Sequence, residues 1–399
     1  MTVDQLKLFD EYLNSPTNLS SVSERIDAFA EFKYKTRPFC KRNWGNLLHF
    51  LCSYQGKLKP AIAHFLVKTM TNEGERILDP FSGAGTVPLE ACLQGRFGDG
   101  VDINPLAYAN TLAKIDYPLQ EDVYIFRHQL GQYLEQHFVP ESELAKVRLK
   151  KINGRLQDYF HTKTFAEIVT ARKFFSELGE HTSASALVES CLLHILHGNR
   201  PYALSRRSHG LTPFSPTGPF EYKPLLLHLD TKIKRVTQTK IPASYVHGSA
   251  YSCSIFDFKT EKLYDAIITS PPFLNSTRFY ISNWMRLWFC GWENEDFKST
   301  ARNDYLEEMQ AKSITVYERV FSKFLTLLKP GGLCVLHLGV VGKRDMGGEL
   351  IPQAEKVGFE VLRLLYEDVS LCENHGVRDQ GSTVKHQFLF LRAPADIDD

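Results

Sequence analysis

The chain has 399 residues, 23% of them charged and 43% hydrophobic, with a formal net charge of +1; that balance excludes a disordered chain and allows a sizeable core. No apolar run reaches membrane length, and the polar start Met1-Thr2-Val3-Asp4-Gln5 is no signal peptide, which excludes a membrane-spanning or exported class. The eight cysteines are scattered, with no Cys-x-x-Cys pair and no ligand spacing, so no metal site is predicted and a reducing cytoplasm fits.

Residues 1–40 are polar and weakly patterned and are read as a helical arm. The segment 41–118 is predicted to be the cofactor-binding half of an α/β domain. In it Trp44 to His49 and Tyr54 to Pro60 precede an apolar helix from Ala61 to Met70. Lys57, or the helix N-terminus at Pro60, could meet a carboxylate there. Glu75 to Asp79 is then a short apolar run ending in an acid, as at the carboxyl end of a parallel strand. Asp79-Pro80-Phe81-Ser82-Gly83-Ala84-Gly85-Thr86 follows, with glycines suited to positive φ and close backbone approach, before a helix starting near Thr86. Gly98 to Asp102 reads as a second strand ending in an acid, followed by Ile103 and Asn104. An acid at about twenty residues from such a loop commonly bridges a ribose diol. The third glycine of a dinucleotide fingerprint is missing, and no lysine follows as in a P-loop.

Residues 119–244 read as a largely helical, basic insertion. Val123, Ile125, Phe126, Leu130, Tyr133 and Leu134 mark an apolar stripe over 120–138, and further helices are predicted over 165–178 and 184–197. Between 141 and 250 there are sixteen Lys/Arg against nine Asp/Glu, although the whole chain is almost neutral. Arg200, Ser205, Arg206, Arg207 and His209, interleaved with Tyr202, Phe214 and Phe220, suit contact with phosphate and unstacked bases. Ordinary solvated charge is the alternative. From 245 to 399 the pattern returns to strands, predicted at 245–248, 264–270, 333–338, 359–364 and 387–391, with a turn at Lys329 to Gly332.

The strand predicted over Tyr264 to Ser270 runs into Ser270-Pro271-Pro272-Phe273. The prolines stop the strand by removing donors and hold Ser270 extended. A ring-conjugated amine is a poor nucleophile. Acceptors aimed at its N–H bonds, here the Ser270 hydroxyl and the Pro271 carbonyl, free its lone pair, and Phe273 offers a face for stacking a base.

The glycine loop together with Ser270-Pro271-Pro272-Phe273 resembles the DNA amino-methyltransferases of the N4-cytosine/N6-adenine family, over roughly 44–114 and 245–393. The resemblance implies a Rossmann-like, S-adenosylmethionine-dependent methyltransferase sheet with helices on both faces. It implies a methyl acceptor in a base flipped out of double-stranded DNA. Asp79, Phe81, Ser82, Gly83, Gly85, Thr86, Asp102, Ile103, Asn104 and Ser249 would hold the cofactor, with Tyr54, Lys57 and Pro60 closing over its methionine end. Ser270 tilts the expectation to cytosine N4, since adenine-N6 members tend to carry Asp or Asn there. Two departures stand out: Phe273 for the commoner tyrosine, and His247-Gly248-Ser249 where an acid is often found. None of the cysteines follows a proline, which argues against ring-carbon attack. Adenine N6, an RNA amine, and an inactive DNA-binding or cofactor-sensing module stay open. A cytoplasmic, nucleoid-associated, prokaryotic protein of a restriction or epigenetic system is the setting implied.

Overall fold

The computed structural model describes residues 21–32, 37–41, 44–147, 149, 153–208, 212–274, 278–368 and 383–395. Its centre is one sheet built from β1 (Arg76–Asp79), β2 (Phe97–Asp102), β3 (Ala250–Ser252), β4 (Tyr264–Thr269), β5 (Leu328–Val341), β6 (Arg344–Asp345), β7 (Glu360–Asp368) and β8 (Thr383–Arg392). The order is β3-β2-β1-β4-β5-β8-β7, with β6 a short antiparallel partner of β5. The first five strands pair in parallel, and β8 runs antiparallel between β5 and β7. From β1 the chain steps outward to β2 and β3, then returns to lay β4 on the other side of β1. The order therefore reverses between β1 and β4, where open α/β sheets form a ligand crevice beyond the carboxyl ends of the strands. The sheet is Rossmann-like, with its last strand inserted antiparallel.

Helices cover both faces because the strands are apolar on both faces, as parallel strands are when buried between two layers. Ile77, Ile268, Val335, Phe388 and Phe390 point to one side, where helix Pro60–Met70 packs. Their neighbours Leu78, Ile267, Leu336, Leu389 and Leu391 point to the other, against helices Val316–Leu325 and Met346–Lys356. That alternation is the period of two that a strand imposes.

A third core joins helix Pro105–Ile115 to Gln120–Gln136, Thr162–Ser176 and Ser183–Leu196. The segments 44–118 and 119–244 thus share one core. Helix Leu225–Thr237 was not anticipated, although Leu225, Leu229, Ile233 and Val236 are buried at helical spacing. Its Lys232 interrupts the apolar stripe but is itself buried, donating to the Phe50 carbonyl at 3.0 Å.

One expected strand is absent. Residues 245–248 form a loop, and pairing with β2 starts only at Ala250. The polar groups of this stretch go to helix ends instead: Val246 N–H donates to Cys92 O, Gly248 N–H to Ile115 O, and the Tyr245 hydroxyl to Lys114 O.

Residues 1–20 and 33–36 of the expected arm lie outside the described residues. Within the arm, helix Val22–Glu31 is set by a capping box in which Ser21 Oγ accepts from Glu24 N–H and the Glu24 carboxylate accepts from Ser21 N–H. The helix is docked on the sheet. Phe29 stands edge-on to Phe388 and Phe390 of β8, with ring centroids 4.9 and 6.1 Å away. Phe29→Ala therefore lowers the unfolding free energy by about 3–5 kcal/mol in urea titration, the cost of emptying a buried aromatic site. A loss below about 1 kcal/mol would mean the arm is not part of the core. Among the described residues no helix is long and apolar enough to cross a membrane, and none form a metal-binding cluster.

Candidate functional site

The carboxyl ends of β1 and β4 bring the two sequence motifs together. Thr269, the last residue of β4, donates its hydroxyl to Asp79 Oδ1 at 2.6 Å, joining positions 190 residues apart. Above this bond an open cleft of about 940 Å³ is lined by Asp79 to Ala84, Thr86, Asp102 to Asn104, Ser270 and Pro272. Burial pushes the Asp79 carboxyl up to about 7, against the hydrogen bonds from Thr269 and the Phe81 N–H.

The glycine loop leaves β1 and enters helix Thr86–Leu93 with Gly83 at φ 48° and Gly85 at φ 68°. The two glycines do different things. A Cβ on Gly83 would face the ring of Tyr54 at 3.5 Å, on the cleft side. A Cβ on Gly85 would meet Thr111 Oγ1 at 2.7 Å and Thr111 Cα at 3.0 Å. The expectation that Gly85 admits the ligand is corrected: it admits helix Pro105–Ile115. From that helix the fully buried Lys114 donates to the Ala84 carbonyl, holding the loop from beneath. Gly85→Ala is accordingly expected to lower the melting temperature more than Gly83→Ala, since both incur a left-handed strain of about 1–3 kcal/mol and only Gly85 adds the clash. Equal melting temperatures would remove Thr111 from the account.

Asp102 closes the other side. Its Oδ2 accepts from Gly83 N–H at 2.8 Å and its Oδ1 from Asn104 N–H at 2.9 Å, so the acid at the end of β2 is aimed at the loop. Burial lifts its carboxyl to about 6, opposed by those two bonds. Asn104 caps helix Pro105–Ile115 through its oxygen, while its buried Nδ2 has no hydrogen-bond partner.

Of three expected cofactor contacts, Ser249 and Pro60 sit outside the cleft lining and Lys57 borders it with its ammonium engaged. Ser249 N–H donates to Asp99 Oδ1 and its hydroxyl faces Lys262; the wall above β3 is made by Cys253 to Phe256 instead. Lys57 borders the cleft, but its ammonium donates to the His49 carbonyl at 2.8 Å and lies over the Phe50 ring. Pro60 occupies the first turn of its helix and is buried outside the cleft wall. Tyr54 does line the cleft, stacked on Phe279 at 6.2 Å.

At the acceptor edge, the Ser270 hydroxyl meets His337 Nδ1 at 3.0 Å, and Gln310 Nε2 donates to the carbonyls of Pro272 and Phe273. Pro271 is buried. Phe273 turns away from the cleft: its ring lies 5.4 Å from that of His337 and 6.3 Å from that of His386, over Gly339, where a Cβ would collide at 2.6 Å. The aromatic residues that do border the cleft are Tyr54, Phe81, Phe256, Phe279 and Tyr305. The missing Cβ of Gly339 is what lets Phe273 pack inward.

Sequence reasoning also missed Asp304, Tyr305 and Glu307, which close the cleft from the segment ahead of helix Leu306–Lys312 and its first turn. Burial pushes the Glu307 carboxyl up to about 7, although Phe279 N–H donates to it at 3.2 Å. No motif marks this segment; two adjacent acids after a tyrosine look like solvated helix surface. With Asp79, Asp102, Asp304 and Glu307 against Lys57 alone, the cleft is acidic and suits a cationic ligand that carries ribose hydroxyls.

The basic segment fares differently. Arg206 is bound within the fold, donating to the carbonyls of Gly218 and Asp158 and lying 3.9 Å from the Phe220 ring centroid. Ser205 is buried, which removes it from any surface. Arg127, Arg155 and Arg172 pair with Asp230, Asp158 and Glu293. Of these pairs only Arg172–Glu293 sets a basic residue of 141–250 against an acid from outside that span. Arg207 is exposed, as are Arg200, beside His194, and Arg235, over the Tyr202 ring. His209 lies outside the described residues.

Residues 51–101 match the family model described as UPF0020, RMKL-like, methyltransferase domain. That stretch carries β1, the glycine loop and most of β2. No curated protein matches the chain. Similar solved structures include TrmN from Thermus thermophilus, at 12% identity, 87% of this chain, 53% of that one and a TM-score of 0.30. They include SMU.776 complexed with SAH, at 10% identity, 84% and 50% coverage and a TM-score of 0.36. A third is the [4+2]-cyclase SpnF, at 12% identity, 88% and 92% coverage and a TM-score of 0.34. The chain spans about half the length of the first two. The acidic wall and the Asp102 carboxylate fit S-adenosylmethionine, which carries a sulfonium charge and ribose hydroxyls.

Proposed function

We propose that the protein is an S-adenosylmethionine-dependent methyltransferase acting on an exocyclic amine of a nucleic-acid base, with cytosine N4 in DNA as the leading acceptor. One observation carries this reading: the glycine loop and the Ser270-Pro271-Pro272 edge end neighbouring strands and open on the same cleft. The cofactor, when bound, supplies an electrophilic methyl group. The protein supplies position and hydrogen bonds. The Ser270 hydroxyl lies 3.0 Å from His337 Nδ1; donating there, it keeps its oxygen lone pairs for the N–H bonds of the incoming amine. The prolines hold that oxygen in place, so little reorganisation accompanies charge development on nitrogen. Phe279, with Tyr54 behind it, is the ring best placed to stack the base, a role first assigned to Phe273. Adenine N6 offers the same two N–H bonds and is the nearest alternative within this reading.

A second reading, in which the amine belongs to RNA, is favoured by the RMKL-like character of the matching family model. Incubation with methyl-labelled S-adenosylmethionine and equal masses of double-stranded DNA and total RNA separates the two. Label in DNA supports the first reading and label in RNA alone replaces it with the second. Label in neither polymer, with the cofactor bound, overturns both.

A further inference from the structure

Methylation of an amine leaves a proton to be removed, and the acceptor edge is joined to a chain of groups able to remove it. His337 sits in the middle of β5 with 4% of its surface exposed, a lone imidazole in the otherwise apolar run Leu333 to Leu338. Its Nδ1 is 3.0 Å from Ser270 Oγ, and its Nε2 is 3.0 Å from His386 Nδ1 on β8. His386 is half-buried, between the exposed Lys385 and the buried Gln387, so the line runs from the cleft towards the edge of the protein.

We propose that Ser270, His337 and His386 form a proton relay that carries the amine proton from the cleft to the protein surface. The inference rests on the amine-methylation reading above. On methylation the amine nitrogen forms its bond to carbon, the S–CH3 bond breaks with its electron pair on sulfur, and the nitrogen, now positive, releases one N–H proton. Ser270 Oγ takes that proton and passes its own to His337 Nδ1. His337 passes its Nε2 proton to His386 Nδ1, and His386, briefly an imidazolium, releases a proton from Nε2 to water. Each ring then returns by tautomerisation to its starting form. The transfer needs every resting hydrogen bond to run in one direction: Ser270 donates to His337, and His337 donates to His386.

The surroundings suit that resting state. Burial holds the His337 imidazole well below its usual range, with His386 and Lys59 acting in the same sense, so His337 rests neutral and passes a proton without storing one. Phe273 and Phe388 pack against its ring and exclude water from the middle of the line. At the far end, Glu367 on β7 is the register partner of His386, placing a carboxylate beside the group that becomes cationic. This gives Phe273 a purpose other than stacking a base: it insulates the relay.

The test reads both the proton and the rate. Long-range nitrogen–proton spectra of histidine-labelled protein, without cofactor or substrate, are expected to place the resting His337 proton on Nε2 and to leave His386 Nδ1 unprotonated. A resting His337 proton on Nδ1 overturns the relay whether or not the protein methylates anything. In single turnover, His337→Asn, which can accept from Ser270 but cannot pass a proton on, is expected to slow methyl transfer at least about tenfold. Its affinity for S-adenosylmethionine should stay within about twofold of the parent. His386→Asn, at the less buried end, repeats the measurement should the first variant fold poorly. Wild-type rates in either variant overturn the relay. A parent protein with the expected tautomers but no methylation of DNA or RNA overturns the function proposed above instead.

Discussion

Replacing Asp102 by alanine is expected to weaken S-adenosylmethionine binding about tenfold or more in calorimetry, in a protein that still folds. The carboxylate already accepts from Gly83 and Asn104 and has lone pairs left for ribose hydroxyls. Charge-assisted hydrogen bonds of that kind contribute about 1.5–3 kcal/mol, and 1.4 kcal/mol is a factor of ten. The same group sets a pH dependence. Because its carboxyl is lifted to about 6 in the free protein, a proton competes with the cofactor below that pH. Affinity should therefore fall as pH drops through about 6, by up to about tenfold per unit. Asp79 and Glu307, each at about 7, act in the same direction from a higher starting point. Asp102→Asn should remove the part of the fall that lies below 6 and leave the part due to Asp79 and Glu307. An unchanged affinity in Asp102→Ala would take the ribose away from this residue.

The second large effect is on turnover. Ser270→Ala deletes the oxygen that faces the amine and the first link to His337, while the prolines that shape the edge stay in place. The expected result is a fall in kcat of about 10²-fold, the scale seen when one preorganised acceptor or donor of a transition state is removed. Nucleic-acid affinity and cofactor affinity should move by less than about threefold, because the lost interaction strengthens only as charge develops on nitrogen. A variant that loses affinity and keeps kcat would make Ser270 a binding residue.

Much of the site was legible because its chemistry is local in sequence. Asp79 to Thr86 and Ser270 to Phe273 carry their own turn residues, and the acids at 79 and 102 each close a short segment read as a strand. What was not legible depends on the fold bringing distant residues into contact. Gly85 was read as a ligand glycine because nothing in the loop reveals that Thr111 stands behind it. Phe273 was read as a stacking face because neither Gly339 nor His337 is near it in the chain. The one available signal for the relay was His337 itself, a polar residue in the middle of a strand buried on both faces. Charge counting along 141–250 overstated the basic surface, since it cannot see that Arg206 is bound to Gly218 and Asp158 or that Lys232 is buried. Exposed Arg200, Arg207 and Arg235, together with exposed lysines such as Lys163, Lys234 and Lys240, stay available to a phosphate backbone.

The central claim is that the methyl group goes to an exocyclic nitrogen at the Ser270 edge. Nucleoside mass spectrometry of the nucleic acid after reaction identifies the methylated atom directly. The account predicts N4-methylcytosine from the parent protein and a yield reduced by about 10²-fold at equal time from Ser270→Ala. N6-methyladenine would keep the amine chemistry and change the base. Methylation confined to a ring carbon, or an undiminished yield from Ser270→Ala, would contradict it.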